Sequence, residues 1–306
     1  MDNKIIAIIV AIIAIVAVGA FFFAGSGDTV TIGYLPSDHD AALFVADAQG
    51  QFASNGIKTE LVQFNNGGDL MTAMASGDVD VGYVGITPVL ASIQKGVPVK
   101  VISAAQTDGS GLVVSKNSGI SSVQDLAGKS IATPGEASIQ YMLLQYYLEQ
   151  NGMSLKDLKV SSMNDALKTN KIDGMITFEP YVTIAEKNGA TVLAGSQDIL
   201  PDHPCCVVVA SDKFLEEHPN ETNTILKIHE NATDFINNNS DEAASMIPSD
   251  IVSDVEVEKV AISSFPFISG LDDSFKQDVM DFMNLEVDLG VLKEPISQDK
   301  IFWDGI

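Results

Sequence analysis

His39 has more chemical options than any other side chain in this sequence, because it stands between Asp38 and Asp40 in the run LPSDHDAA, residues 35–42. An imidazole in that setting can contact a solute, cap a helix or join a metal site, and the last needs further donors at suitable spacing. Asp202-His203 is the other pair that could supply them. His229-Glu230 fails as a zinc-protease motif, since Thr233 stands where a second histidine is required. Ala127-Gly128-Lys129-Ser130 ends like a phosphate-binding loop, but Val123 occupies the position of its first glycine. No Gly-x-Ser-x-Gly elbow occurs. Cys205 and Cys206 are adjacent, so a disulfide between them would be strained, and the run PCCVVVAS predicts a buried strand in which both act as small hydrophobes. These residues predict no catalytic group, no metal and no cofactor.

The other polar candidates lie where helices begin. LPSDHDAA is one of four such starts, with VGITPVL (84–90), TPGEASIQ (133–140) and TFEPYV (177–182). Pro36, Pro88, Pro134 and Pro180 lie at or near them, where a missing N–H costs little. Ser37, Asp40, Thr87, Ser138 and Glu179 are residue types that cap helices whether or not a ligand is near. In an open parallel sheet, however, ligands bind beyond the carboxyl ends of the strands, where helix starts direct unpaired N–H groups at a cleft.

Those starts belong to a module that occurs twice. Residues 74–102 and 166–193 share a helix end, a β-branched residue before an aspartate (Asp80, Asp173), an apolar strand, a proline, a helix, then Lys and Gly. Upstream, Pro36 followed by a helix and Asn55-Gly56 is matched by Pro134, a helix and Asn151-Gly152. A doubled α/β unit predicts two similar lobes facing each other across a cleft, the usual place for a small ligand. Strands are expected at 29–35, 57–64, 79–85 and 99–106, with helices between, the alternation of parallel strands and crossovers. GLVVSK (111–116) and VVVASDK (207–213) look alike and read as the two connections between lobes. That places residues 28–114 plus 210–306 in the first lobe and 115–209 in the second, with Trp303 tucked against the first.

The chain has 306 residues and a net charge of −24, and all 17 of its basic residues are lysine. So acidic a molecule repels phosphate, which excludes nucleic acid as a partner. With no arginine, an anion must be held by backbone N–H groups, hydroxyls or lysine. Residues 5–24 are apolar without a charge and, as a helix, span roughly 30 Å, the hydrocarbon thickness of a membrane. Residues 1–27 therefore form a membrane anchor or a cleaved signal segment, with everything after Gly25 on the extracytoplasmic side.

From Thr31 to about Pro219 the chain resembles the extracytoplasmic solute-binding proteins of the nitrate/sulfonate/taurine class of ABC importers. The phrases that carry the resemblance are GYLPSDHDAALFVADAQGQFASNGI, GGDLMTAMASGDVDVGYVGITPVL, SVQDLAGKSIATPGEASIQYMLLQYYLEQNGM, NKIDGMITFEPY and VVVASDKFLEEHP. It implies an α/β protein of the two-lobed type II periplasmic-binding-protein fold, a monomer that closes on a small polar solute and docks on a permease driven by a separate ATPase. It also implies that Pro36, Ser37, His39, Asp40, Gly85, Thr87, Pro134, Ser138, Glu179 and Pro180 face the solute. Asp38, Asp40, Glu136 and Glu179 near the expected mouth favour a solute with a positive or donor-rich group, such as a taurine-like aminosulfonate or an aminopyrimidine vitamin precursor. An enzyme making the thiamine pyrimidine on this fold is the alternative from another class; it predicts a cytosolic protein with a Cys-rich motif.

Overall fold

The computed structural model describes residues 29–162 and 172–305. The expected membrane segment and residues 166–171 of the second module lie outside them. Among the described residues no helix is long and apolar enough to cross a membrane.

Among the described residues ten strands form two five-stranded sheets. The first contains β1 (Val30–Tyr34), β2 (Thr59–Gln63), β3 (Val81–Gly85), β4 (Val99–Thr107) and β10 (Pro204–Ser211), in the order β2-β1-β3-β10-β4. The second contains β5 (Ser110–Val114), β6 (Ser130–Thr133), β7 (Lys159–Ser162), β8 (Gly174–Phe178) and β9 (Thr191–Gly195), in the order β7-β6-β8-β5-β9. In each sheet the first three strands pair in parallel and the fourth is antiparallel to its neighbours. The two sheets thus repeat one plan, and the fourth strand of each is supplied by the chain as it arrives from the other.

This arrangement corrects the expected lobe boundaries. GLVVSK and VVVASDK are not the connections; they are the equivalent fourth strands, β5 and β10. The chain changes sheet between Thr107 and Ser110, and again between Gly195 and Pro204. A β-branched apolar run suits either sheet equally, and only its distant hydrogen-bond partners decide which sheet it joins. β10 shows why its run is unbroken: Val207 and Val209 pack into one core, Val208 and Ala210 into another. Both faces of the first sheet are covered.

On one side of that sheet lie α1 (Ala41–Ala48) and the long α6 (Pro219–Asn238), through Leu43, Phe44, Ile225 and Ile228. On the other lie α2 (Gly67–Ser76), α3 (Ile86–Gln94) and α8 (Asp273–Asp288), through Leu70, Leu90 and Phe282. Asn66 caps α2 by accepting from the Asp69 amide at 2.9 Å, and Gly77 ends it at φ 83°, a left-handed conformation that favours glycine. In the second lobe α4 (Ile139–Gln150) buries Ile139, Met142 and Leu143, with Tyr146 and Tyr147 packed beside them. Tyr146 and Tyr147 pack against the core, as their spacing predicts. α5 (Tyr181–Lys187) follows β8, and α7 (Val255–Ala261) packs against it from the C-terminal region. Trp303 sits half-buried against the first lobe, its amide donating to the Val101 carbonyl at 3.0 Å.

Candidate functional site

Three helix starts from two lobes open onto one cavity of about 50 Å³. Asn66 and Gly67 begin α2, Gly85 precedes α3, and Ser138 and Ile139 begin α4; all of them line it. The first-turn N–H groups of a helix have no helical partner, so this convergence places donors and the positive ends of three dipoles around one small space. Among the described residues no lysine lines it, and the sequence holds no arginine. A space of that size holds a few waters or one small head group, so a larger solute enters only if the lobes part.

The 35–40 turn forms one wall. Ser37 accepts from the His39 amide at 3.1 Å and donates to the Glu179 carbonyl across the cleft at 2.9 Å. Asp40 is buried and accepts from the Leu35 amide at 2.8 Å, which closes the turn. Burial raises the Asp40 carboxyl well above the usual carboxylate range, against that hydrogen bond. Asp38 is buried and is not part of the cavity wall; burial first, then the Glu258 and Glu179 carboxylates, push it well up. Burial likewise lifts Glu258 to about 8, with Glu179 adding to it.

His39 is the centre of the buried end. Its ring lies between Phe178 and Phe265, with ring centroids 5.8 and 4.9 Å away. Nε2 is 2.9 Å from the Gly109 carbonyl; a carbonyl can only accept, so Nε2 carries the proton. A Cβ on Gly109 would fall 2.5 Å from Nε2, and the φ of this residue is +77°, so the approach requires glycine. The other ring nitrogen, Nδ1, faces Cys205 Sγ and Cys206 Sγ, each at 3.7 Å.

The two thiols were expected in the core. They are buried, at 1% and 6% exposure, yet both also line the cavity. Adjacent side chains on a regular strand point to opposite faces, but the register of β10 against β4 shifts on either side of Cys206. Burial would raise the Cys205 thiol, but Cys206, His39 and His203 outweigh it and hold Cys205 well below the usual thiol range. Donation of its own S–H to the Cys205 sulfur pushes Cys206 well up, and burial adds to the shift. Burial opposes charge on His203 too, but Asp108, 3.2 Å from its Nδ1, and Cys205 lift it to about 9. His229 belongs elsewhere: it bonds the Ala104 carbonyl at 2.8 Å in the core behind Tyr83, and burial drives it down to about 4.

Of the residues expected to face the solute, the cavity gathers Ser37, His39, Asp40, Gly85, Pro134 and Ser138. Pro36, Thr87, Glu179 and Pro180 are not in its wall. Thr87 is buried and donates its hydroxyl to the Glu286 carboxylate of α8, so it faces the core. Glu179 turns its carboxylate onto Thr183, accepting from the amide and the hydroxyl at 3.0 Å each, and Pro180 precedes α5 beside it. Glu179 is claimed by a local capping partner and Thr87 by a distant carboxylate. Sequence reasoning did not select Asn65, Asn66, Gln140 or Phe178, which also line the wall. Asn66 was legible, since Asn-Gly-Gly before an amphipathic run is a capping signal.

A sequence profile of the NMT1-like family matches residues 25–248. A Bacillus subtilis protein named as an aliphatic sulfonates-binding protein is 29% identical over 76% of this chain and 73% of its own length. The taurine-binding periplasmic protein of Escherichia coli is 30% identical over 64% of this chain and 63% of its own. Among solved structures, the alkanesulfonate-binding protein SsuA from Xanthomonas axonopodis pv. citri, bound to MOPS, superposes with a TM-score of 0.80 at 17% identity, covering 91% of this chain and 99% of its own. With the profile covering most of its length and the two-sheet plan matching that neighbour, the chain belongs to the NMT1-like family and has the periplasmic-binding-protein fold.

Proposed function

We propose that this protein is the extracytoplasmic solute-binding component of an ABC importer, and that its solute carries a small anionic head group of the sulfonate kind. The observation that carries this reading is the convergence of the α2, α3 and α4 starts from two lobes on one cavity. Helix N-termini bind anions without a cationic side chain, and this chain has no arginine to offer. Asn65, Ser37 and Ser138 add amide and hydroxyl groups around the same space. The sulfonate- and taurine-binding relatives and the apolar segment 5–24 support the importer role and the outward location. Delivery then runs from the closed two-lobed protein to a permease and its ATPase.

Thermal-shift and calorimetric screening of taurine, alkanesulfonates, nitrate, amino acids and aminopyrimidines tests the reading. A ligand that binds only the native state raises the melting temperature with concentration. Taurine or an alkanesulfonate is expected to do so with one site per chain. Binding confined to cationic amino acids or aminopyrimidines would overturn the anionic head group.

A further inference from the structure

We propose that His39 Nδ1, Cys205 Sγ and Cys206 Sγ form a three-donor site for a thiophilic metal ion, with the fourth coordination position open to the cleft. The three atoms lie within 4.8 Å of one another, and each sulfur is 3.7 Å from Nδ1. A tetrahedral ion with metal–sulfur bonds of about 2.3 Å and a metal–nitrogen bond of about 2.0–2.1 Å separates its donors by about 3.5–3.8 Å. Both nitrogen–sulfur distances therefore match those of a shared tetrahedral ion.

The surroundings are those of a ligand set. Metal-bound histidines usually donate their other ring N–H to a carbonyl or carboxylate, which fixes the tautomer. His39 does so through Nε2 to Gly109, and Phe178 and Phe265 hold the ring between them. The irregularity of β10 at Cys206 brings two neighbouring thiols to the same nitrogen, an arrangement that packing alone does not require. Both cysteines are free, and all three residues line the cavity, so the ion's fourth position faces whatever the cleft admits. Two sulfurs and one imidazole select Zn(II) or Cu(I) over the oxygen-seeking Mg(II) and Ca(II). Each thiol releases its proton to solvent as it ligates, and no electron transfer is involved. The site is independent of which organic solute the protein carries.

Cobalt(II) titrated into the reduced, metal-free protein under argon, with free thiols counted beforehand, tests the proposal. One equivalent is expected to produce the near-ultraviolet thiolate-to-cobalt band and the intense visible bands of a tetrahedral ion. Zinc(II) should displace it, and should protect both thiols from a thiol-specific reagent in the wild-type protein. Cys205→Ser, Cys206→Ser and His39→Gln should each weaken zinc binding by at least the 10- to 100-fold, roughly, that losing an outer partner costs. Cobalt binding without a thiolate band, no protection of the thiols by zinc, or an unchanged spectrum in Cys205→Ser/Cys206→Ser would overturn it. Should the variants fail to fold, the wild-type spectrum and thiol protection decide alone.

Discussion

Asp80 and Asp173 occupy the same place in the two lobes and make the same bonds. The Asp80 carboxylate accepts from the Thr31 amide at 2.9 Å, and the Asp173 carboxylate from the Ser130 amide at 2.8 Å. Their own amides return bonds to the carbonyls of Thr31 and Ser130. Their carbonyls accept from Ser211 and Ser115, each at 2.9 Å, the residues that end or follow β10 and β5. Each aspartate therefore ties a parallel strand to its neighbour and to the strand contributed from the other half. Asp80→Ala and Asp173→Ala should each lower unfolding stability by about 1–2 kcal/mol through loss of a charge-assisted bond. Urea titrations check this, and two unperturbed midpoints would mean that apolar packing alone sets the register.

Thr87 and the cleft can be separated by mutation. Its hydroxyl serves Glu286, so Thr87→Val leaves a buried carboxyl without its donor and should cost about 1–3 kcal/mol of stability. Solute affinity, measured by calorimetry on the folded fraction, should stay the same. A large affinity loss at unchanged stability would return Thr87 to the cavity wall.

Stability should fall as pH rises from about 5 to about 8. Burial lifts Glu286 and Glu258 to about 8 in the folded chain. In the unfolded chain both titrate near the ordinary glutamate value of about 4.3, so between these limits the folded state binds more protons and loses stability as pH rises. Their contribution is complete below the unfolded value and gone above the folded one. Melting temperatures across this window should decline in the wild type and decline less in Glu286→Gln; parallel curves would rule out Glu286 as a source.

Ser37 carries a bond between the lobes. Ser37→Ala removes its donation to the Glu179 carbonyl and one hydroxyl from the wall, so solute affinity should drop by about 1 kcal/mol, roughly fivefold. Isothermal calorimetry reads that difference directly.

Gly109→Ala should be the most damaging single methyl in the site. It puts a Cβ 2.5 Å from His39 Nε2 at a backbone φ of +77°, so His39 or the crossover must move. A stability loss of at least about 1 kcal/mol is expected, with weaker solute binding on the surviving folded protein. Full affinity in this variant would show that His39 is not needed where it stands.

Much was determined by residue order alone. The alternation of apolar strands with amphipathic helices, the glycine after α2 and the buried face of α4 follow from local periodicity, which is a property of adjacent residues. The doubled Asp80 and Asp173 modules announced two similar lobes, and Ser37, Gly85 and Ser138, singled out because strand ends lead to helix starts in any open α/β sheet, line the cavity. Only the tertiary structure decided which sheet β5 and β10 join, since a β-branched run carries no mark of its partners. It also decided the fate of the capping residues. Thr87 and Glu179 look no different from Ser138 in sequence, but Glu286, 199 residues away, claims one and Thr183 the other. The approach of His39 to Cys205 and Cys206 spans more than 160 residues and goes with the register shifts of β10 on either side of Cys206. Periodicity places a side chain on a face; the long-range pairing of strands decides what that face meets.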